Sequence, residues 1–185
     1  MVLYGTQNLE QDRQAYELLT IAVGEHWGFS ALPAIEREQN GKPFFPGSAD
    51  HCFNLSHSGT LALCGLDTLP IGVDVQIVKA WRPRLPARVC CQAELDWMER
   101  QPSRELAFVT LWALKEAKVK QSGLGLRTDI REIRVPLPSD WSRPVSLDGL
   151  WFRVIPGESW AAAVCGLTQP PAEIRWKRLS SPPLS

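Results

Sequence analysis

The chain has 185 residues, of which 44% are hydrophobic and 22% charged, and its basic and acidic residues balance at zero formal net charge. This length and composition are typical of a globular protein with a sizeable core and exclude a disordered or fibrous chain. The neutral balance also argues against nucleic-acid binding, so a charged partner would have to meet a local patch.

Cysteine usage and hydrophobic patterning predict the cellular compartment of the protein. The five cysteines form no C-x-x-C pair and lie mostly in apolar runs: Cys52, Cys64, Cys90, Cys91 and Cys165. This pattern indicates reduced thiols, and we expect a soluble, cytoplasmic protein. No signal-peptide pattern is present and no apolar run approaches the roughly 18 residues that span a bilayer, so no membrane association is expected.

The first half of the chain predicts a helix followed by short strands. Helical spacing of apolar residues indicates the helix, and apolar runs separated by serine, glycine and proline indicate the strands. The expected elements are a strand or arm at 1–8, a helix at 11–29 and strands at 52–59, 60–66 and 71–78. A loop with turn signals at Asn40-Gly41 and Pro46-Gly47 separates the helix from the strands.

Polar side chains and basic charge stand out near the middle of the chain. In the strand at 71–78, alternation puts Asp74 and Gln76 on one face, where a carboxylate and an amide oxygen project together. Four basic residues without an acid follow at Lys79, Arg82, Arg84 and Arg88. This cluster is either a solvated loop or a patch for an acidic partner.

A long, mostly buried helix is predicted to start at Pro102-Ser103 and to stop at Gly123. A shorter helix at 93–100 precedes it. In the last turns of the long helix, Glu116 and Lys120 lie four residues apart and therefore on one face. An ordinary surface pair of this type contributes only about 0.2–0.5 kcal/mol and would explain the spacing without any function.

The second half resembles the first in the order of its predicted elements and in one short string. Strands are expected at 129–137, 150–155 and 160–167, followed by a disordered tail at 180–185. The string Ala62-Leu-Cys-Gly-Leu66 matches Ala163-Val-Cys-Gly-Leu167, and each ends a predicted strand. Since both halves place strands after a helix, we expect an α+β fold of two similar halves related by a pseudo-twofold axis. The halves are predicted at 1–72 and 73–179, with the ligand site in the cleft between them.

Three polar groups could form one site together: Ser56-His57, Asp74 with Gln76, and Glu116 with Lys115 and Lys120. Each alone has a structural explanation as a satisfied or solvated polar group. Together, carboxylate and amide oxygens suit Mg²⁺ bound beside substrate phosphates, and lysines suit the phosphates themselves. No zinc spacing, phosphate-binding P-loop or G-x-S-x-G motif is present, so the nucleophile should come from the substrate.

Four motifs resemble those of the 4'-phosphopantetheinyl transferase superfamily, Sfp type: Gly41-Lys-Pro43, Phe53-Asn-Leu-Ser-His-Ser-Gly59, Ile71-Gly-Val-Asp74 and Trp112-x-x-Lys-Glu-Ala-x-x-Lys120. They occur in the family's order and extend over most of the chain. The resemblance implies a two-half α+β fold. It also implies Mg²⁺-dependent transfer of the phosphopantetheine arm from coenzyme A to a serine of an apo carrier protein, with release of adenosine 3',5'-bisphosphate.

The resemblance assigns roles to individual residues. Asp74, Gln76 and Glu116 would bind the metal, and Glu116 would also receive the serine proton. Lys120 would contact the phosphates and assist the leaving group, opposite a wall formed by Asp74 and His57. Coenzyme A binding is assigned to a larger set: Arg13, Lys42, Pro43, Ser56, His57, Lys115 and Lys120.

Two departures from the family pattern lead to specific expectations. Many members carry a second acid where this chain has Gln76, so the metal would have one anionic ligand fewer; either a water replaces that ligand or the affinity for the metal falls. Basic residues that relatives place before the first helix have no clear counterpart ahead of Arg13. The protein should therefore make fewer contacts with the phosphates of coenzyme A. The protein is expected to act as a monomer, and an acidic carrier would dock on the basic cluster.

Two other functions stay open from the sequence. One is a non-catalytic module that binds carrier proteins, which the departures at Gln76 and at the N-terminus motivate. The other is a metal-dependent phosphohydrolase that uses water in place of serine. The sequence does not identify the carrier among fatty-acid, polyketide and nonribosomal-peptide systems, although the Lys-Glu-Ala form of the motif resembles the branch tied to the first two.

Overall fold

The computed structural model describes residues 1–79, 82, 84–123, 125, 129–137 and 140–180. Its helices are α1 (Gln14–Trp27), α2 (Pro86–Val89), α3 (Gln92–Glu99) and α4 (Arg104–Ser122), with a 3-10 turn at Ile130–Glu132. Its strands are β1 (Val2–Thr6), β2 (Glu36–Arg37), β3 (Pro43–Phe44), β4 (Cys52–Ser58), β5 (Leu61–Asp67), β6 (Ile71–Ile77), β7 (Val145–Leu147), β8 (Leu150–Pro156), β9 (Trp160–Gly166) and β10 (Arg175–Trp176). In the part of the chain that is described, no helix is long and apolar enough to cross a membrane.

Each half of the fold is a four-stranded sheet with one long helix against it. The strand orders are β10-β1-β5-β4 in the first sheet and β6-β9-β8-β7 in the second. Helix α1 shares a core with the first sheet, around Leu18 and Cys64, and α4 shares one with the second, around Leu111 and Cys165. A third core joins apolar residues of both sheets, including Leu63 and Val73. The predicted α+β fold of two similar halves is therefore confirmed.

The echoed strings occupy equivalent places. Cys64 lies on β5 and Cys165 on β9, and each of these strands has a paired neighbour on both sides. Both thiols are fully buried against the long helix of their own half. The similarity between the two strings thus reflects similar packing in the two sheets.

The predicted boundaries between the halves need correction. Strand β6 begins at Ile71, so the division predicted after residue 72 falls inside a strand. Near the other end of the chain, β10 pairs in parallel with β1, which places this segment in the first half. The Ser180 carbonyl oxygen accepts a hydrogen bond from the Gln14 side chain, and the Ser180 N–H donates one to the Glu17 carboxylate, both on α1. The predicted disorder is therefore wrong for this residue. The rest of the predicted tail, 181–185, lies outside the described residues.

The segment after α4 does not form the strand predicted at 129–137. A 3-10 turn takes its place, and the Asp129 carboxylate accepts a hydrogen bond from the Arg131 backbone at 2.9 Å. An aspartate that bonds the backbone two residues on favours a turn over an extended chain. Pro136, which has no N–H to donate, also disfavours pairing in the rest of the segment.

The bounds of α4 agree with its predicted start and stop. The Ser103 hydroxyl accepts a hydrogen bond from the Leu106 backbone at 3.1 Å, as an N-cap does. Gly123 ends the helix in the left-handed conformation with φ of 67°, which glycine adopts at little cost.

The two sheets are joined at one edge by side chains of β4 that bond the backbone of β6. Alternation along β4 directs Asn54, Ser56 and Ser58 to one face. Their oxygens accept hydrogen bonds from the backbone N–H groups of Val73, Val75 and Ile77 at 2.9, 3.2 and 3.2 Å, respectively. We call these three contacts the polar ladder. They satisfy buried N–H groups of an edge strand that would otherwise lack partners.

Helix α4 lies unusually close to β6, and Gly72 permits this approach. A Cβ atom at residue 72 would lie 1.9 Å from the Ala117 carbonyl oxygen and 2.4 Å from the Gln121 nitrogen. No side chain fits into that space. The glycine of the Ile-Gly-Val-Asp motif therefore sets the distance between the strand and the helix.

Substituting Gly72 should destabilise the protein strongly. Gly72→Ala forces the α4 backbone away from β6, and we expect a loss of about 3 kcal/mol or more in the free energy of unfolding, at the upper end of overpacking costs. Urea denaturation followed by circular dichroism measures it. Gly24→Ala in α1 is the matched control, because the nearest atom to its new Cβ lies at an ordinary 3.4 Å. Equal stabilities of the two variants would contradict this account of the contact.

Removing one hydrogen bond of the polar ladder should also lower the free energy of unfolding. Ser56→Ala leaves the buried Val75 N–H without its acceptor, and an unsatisfied buried donor costs about 1–3 kcal/mol. Urea denaturation against the wild type measures this loss. Ser159→Ala, at an exposed serine, should change the unfolding free energy by less than about 0.5 kcal/mol. A Ser56→Ala protein as stable as this control would show that the rung is dispensable.

Candidate active site

The Asp74 carboxylate is the centre of a buried polar cluster. It is 2% exposed, and one of its oxygens accepts hydrogen bonds from the Lys120 ammonium at 2.6 Å and the Ser56 hydroxyl at 2.7 Å. Its other oxygen accepts from the Gln76 amide at 2.8 Å. The Lys120 ammonium also donates to the Val73 carbonyl oxygen at 3.2 Å. A buried charge with this many donors is held in one position.

Local structure explains why these side chains meet. Asp74 and Gly72 are two residues apart on β6, so both face α4. The close approach at Gly72 brings the last turns of α4 over the strand. Glu116 and Lys120 lie one turn apart on that part of the helix, and Lys120 reaches Asp74 directly.

Glu116 completes the cluster and carries an unusual charge environment. Burial raises the pKa of its carboxyl group, and the negative charge of Asp74 raises it further, while Lys120 lowers it. Asp74 and Lys120 therefore both act on Glu116, and the three residues belong to one cluster. Neighbouring carboxylates that repel each other are stabilised by an added cation.

Gln76 projects beside Asp74, as alternation along the strand predicts. Its amide nitrogen, and not its oxygen, is directed at the carboxylate. Gln76 would have to turn its amide over to offer oxygen to a cation. Within the described residues, no three histidine, cysteine or acidic side chains converge, so any metal would depend on two carboxylates and neutral oxygens.

A cleft of about 230 Å³ opens between the two halves beside this cluster. Its walls come from the Asn40–Pro43 loop and β4 of the first half and from the end of α4 in the second, including Lys120. The Lys42 ammonium donates to the Gln121 carbonyl oxygen at 2.9 Å, and burial lowers the pKa of Lys42. The structure thus brings together three predicted residues, Lys42, Pro43 and Lys120, around one cavity.

Ser56 and His57 do not form a unit, contrary to the prediction. They follow each other on β4 and so point to opposite faces. Ser56 is buried and bonded to Asp74 and to β6, which leaves its hydroxyl committed inside the protein. His57 is 42% exposed and lies 3.6 Å from the Asp12 carboxylate, beside Arg13 at the start of α1. The wall next to Asp74 is therefore Ser56, and His57 with Arg13 lies at the α1 side.

The prediction that Lys115 contacts phosphate is wrong. Its side chain is 0% exposed and pairs with the Glu94 carboxylate at 2.8 Å. The same ammonium donates to the carbonyl oxygens of Val89 and Ile130 at 3.1 and 2.8 Å. Lys115 immediately precedes Glu116 on α4, and adjacent residues of a helix point in different directions. The Lys115 ammonium therefore has all its partners inside the second half.

The basic cluster adjoins an apolar groove of about 160 Å³. Lys79 and Arg82 line this groove, and Arg84 and Arg88 are exposed further along. Residues 80, 81 and 83 of the same segment lie outside the described residues. The rest of the groove is lined by residues of β6, of the segment before α2 and of α4: Gln76, Ile77, Val78, Leu85, Glu105, Phe108, Val109 and Trp112. We call it the docking groove, after the role that we propose for it under Proposed function. Because Gln76 lines it, the groove adjoins the Asp74 cluster.

Sequence reasoning missed three residues that shape the site. Asn54 and Ser58 belong to the polar ladder, and Gly72 admits α4. A signal for the ladder was present, since the Phe-Asn-Leu-Ser-His-Ser motif alternates polar residues with period two. For Gly72 the signal was weaker: an isolated glycine inside a strand indicates a close backbone approach, but the approaching backbone belongs to a helix 45 residues later in the chain.

Comparison with known proteins places the chain in a family. The family model of the 4'-phosphopantetheinyl transferase superfamily matches residues 70–165, which hold β6, α4 and most of β9. A 4'-phosphopantetheinyl transferase of Bacillus subtilis is 33% identical over 105 residues, which are 56% of this chain and 47% of the relative.

Two further relatives give the same result. The transferase Sfp of Bacillus subtilis strain 168 is 31% identical over 112 residues, covering 60% of this chain and 50% of the relative. The transferase AcpT of Salmonella typhi is 36% identical over 115 residues, covering 60% of this chain and 59% of the relative. The chain spans about half the length of the curated relatives it matches. With a family model that matches more than half of its residues, the chain belongs to the 4'-phosphopantetheinyl transferase superfamily.

Proposed function

We propose that this protein transfers the 4'-phosphopantetheine group of coenzyme A to a serine of an apo carrier protein and releases adenosine 3',5'-bisphosphate. The observation that carries the proposal is the cluster of Asp74, Glu116 and Lys120 beside the cleft. Such a transfer needs positive charge next to the pyrophosphate and an acceptor for the hydroxyl proton. Membership of the superfamily supports the same reaction.

Magnesium is part of the proposal. Asp74 and Glu116 would hold the ion, with Gln76 contributing its amide oxygen after the side chain turns. Oxygen donors that include one or two carboxylates suit Mg²⁺. Burial, and after it the negative charge of Asp74, raises the pKa of Glu116, and a cation would relieve this repulsion between the two carboxylates. When bound, the ion would neutralise negative charge on the pyrophosphate.

The chain's own residues would then perform the transfer. The serine oxygen forms a bond to the phosphorus of the phosphopantetheine group, and the bond to the leaving bisphosphate breaks. Glu116 takes the serine proton, directly or through a water, as the general base of the step. Lys120, whose side chain is 27% exposed, donates to the phosphate oxygens and stabilises the charge on the leaving group.

Coenzyme A would occupy the cleft between the halves. Lys42 and Pro43 line it together with Lys120, so the loop of the first half and the helix of the second both contact the substrate. His57, on β4 beside the start of α1, and Arg13, at the N-cap of α1, would contact a further phosphate of the nucleotide. Ser56 would act indirectly, by holding Asp74 in place.

The docking groove would receive an acidic carrier protein. Lys79 and Arg82 supply positive charge to its lining, and Phe108 and Trp112 supply an apolar wall. Charge of this kind orients an acidic partner, and apolar contacts hold it. Because Gln76 lines the same groove, a serine presented there would lie next to the Asp74 cluster.

We also propose that the protein works as a monomer in the cytoplasm. All five cysteines are free, as in a reducing compartment. The groups needed for the reaction come from one chain, so the proposed reaction does not require a second copy.

An assay of carrier modification tests the proposal. Incubation with coenzyme A, Mg²⁺ and apo carriers of the fatty-acid, polyketide and nonribosomal-peptide types should add one phosphopantetheine mass to at least one carrier, as read by intact mass spectrometry. EDTA should abolish the addition. Binding of an apo carrier without any transfer would favour the non-catalytic module suggested by Gln76. Release of bisphosphate from coenzyme A without a carrier would favour the phosphohydrolase.

Glu116→Gln should abolish transfer while the protein stays folded. The amide accepts no proton and carries no charge, so we expect the turnover rate to fall by at least about 100-fold. Turnover is measured with saturating coenzyme A and carrier, and folding is checked by circular dichroism. Glu132→Gln, in the exposed 3-10 turn, is the matched control and should keep wild-type turnover. Similar rates for the two variants would remove Glu116 from the mechanism.

A further inference from the structure

The second half contains a buried ion pair that the proposed reaction does not use. The Lys115 ammonium is 0% exposed and the Glu94 carboxylate 4%, and their charged atoms lie 2.8 Å apart. The ammonium also donates to the carbonyl oxygens of Val89 and Ile130. A lysine has three N–H groups, and here each has an acceptor.

The contacts of Lys115 join the α2–α3 region to a turn that lies far from it along the chain. Val89 is the last residue of α2, and Ile130 lies in the 3-10 turn after α4. The Glu94 carboxylate in turn accepts a hydrogen bond from the Cys91 backbone at 2.9 Å and caps the start of α3. A single side chain of α4 thus holds the end of α2, the start of α3 and the 3-10 turn.

These contacts bear directly on the docking groove. Two of its walls are α4, through Phe108 and Trp112, and the segment that ends at Leu85, immediately before α2. Lys115 lies on α4 and bonds the far end of α2, four residues after Leu85. The bond therefore fixes the position of one wall relative to the other.

Stability alone does not account for such a pair. Withdrawing an ammonium and a carboxylate from water is costly, and apolar residues of similar volume often give equal or greater stability at such a site. The charged pair, however, requires one arrangement of its partners, because each donor must meet its acceptor. An apolar replacement would allow the α2 segment to slide against α4.

We propose that Lys115, together with Glu94, is a positioning residue for carrier docking. It holds the segment from Arg84 to Cys90 against α4 so that the docking groove keeps the shape that fits the carrier. The inference rests on the proposed docking of an acidic carrier at this groove. It assigns to Lys115 a part in carrier recognition and no contact with coenzyme A.

The test uses a double variant that removes both charges but keeps the side-chain volumes. In Glu94→Gln/Lys115→Met the glutamine can still accept from the Cys91 backbone, while Val89 and Ile130 lose their donor. If the segment keeps its docking-competent position about a tenth of the time, the KM for the apo carrier rises about tenfold. The KM for coenzyme A and the turnover rate at saturating carrier should stay within about twofold, and amides of 84–90 should exchange hydrogen faster.

Two further variants make the result specific. Lys118→Met is the matched control, because Lys118 lies on the same helix but makes its bond to the Arg134 carbonyl oxygen at the surface. It should leave the KM for the carrier unchanged. If the double variant does not fold, Glu94→Asp keeps both charges but shortens the acid, and it should raise the KM for the carrier in the same direction.

The outcomes separate this inference from the proposed function. A folded double variant with the wild-type KM for the carrier would overturn the positioning role, whatever its exchange rates. If the wild-type protein transfers nothing to any carrier, the proposed function fails, and the same variants are then compared by their affinity for an apo carrier in calorimetry. Weaker binding by the double variant alone would support the inference, and equal binding would overturn it.

Discussion

The polar ladder between β4 and β6 is the constraint on which the arrangement of the two halves depends. The second sheet could end at β6 with a row of exposed N–H groups, but Asn54, Ser56 and Ser58 of β4 accept those bonds through their side chains. Side-chain acceptors join the sheets without merging them into one backbone ladder. Ser56 also donates to Asp74, so the contact that aligns the halves orients the acid at their junction as well. The same serine therefore takes part both in aligning the halves and in orienting Asp74.

Three charged residues of α4, Lys115, Glu116 and Lys120, lie in different environments because the side chains of a helix point in different directions. Lys115 is directed into the second half, Glu116 is half-buried near Asp74, and Lys120 reaches both the acid and the cleft. These side chains reach the core, Asp74 and the cleft because α4 lies directly on β6, where Gly72 leaves room for the helix backbone. One tight contact between a strand and a helix thus serves the core, the polar cluster and the cleft together.

Much of the fold and part of the site could be predicted from the sequence, and the physical reason for each failure differs. Periodicity and end signals gave α4 and the central strands, because these depend on residues close together in the chain. The strand predicted at 129–137 failed because an aspartate bonded to its own backbone competed with extended structure. The assignment of Lys115 failed because a motif states which residues occur and not which way each faces. The partners of Lys115, Glu94 and two carbonyl oxygens, are properties of the packed fold alone.

The return of β10 to the first sheet bears on how the protein forms during synthesis. Tyr4 of β1 pairs with Arg175, and Asn8 bonds the backbone of Leu179, contacts that span 171 residues. The first half leaves the ribosome early but lacks this strand until nearly the whole of this sequence has been translated. Contacts so distant along the chain are slow to close, since a long loop must lose its freedom first. The nascent first sheet therefore keeps an open edge on β1 for most of translation, and this edge is where a chaperone or a wrong strand would compete with β10.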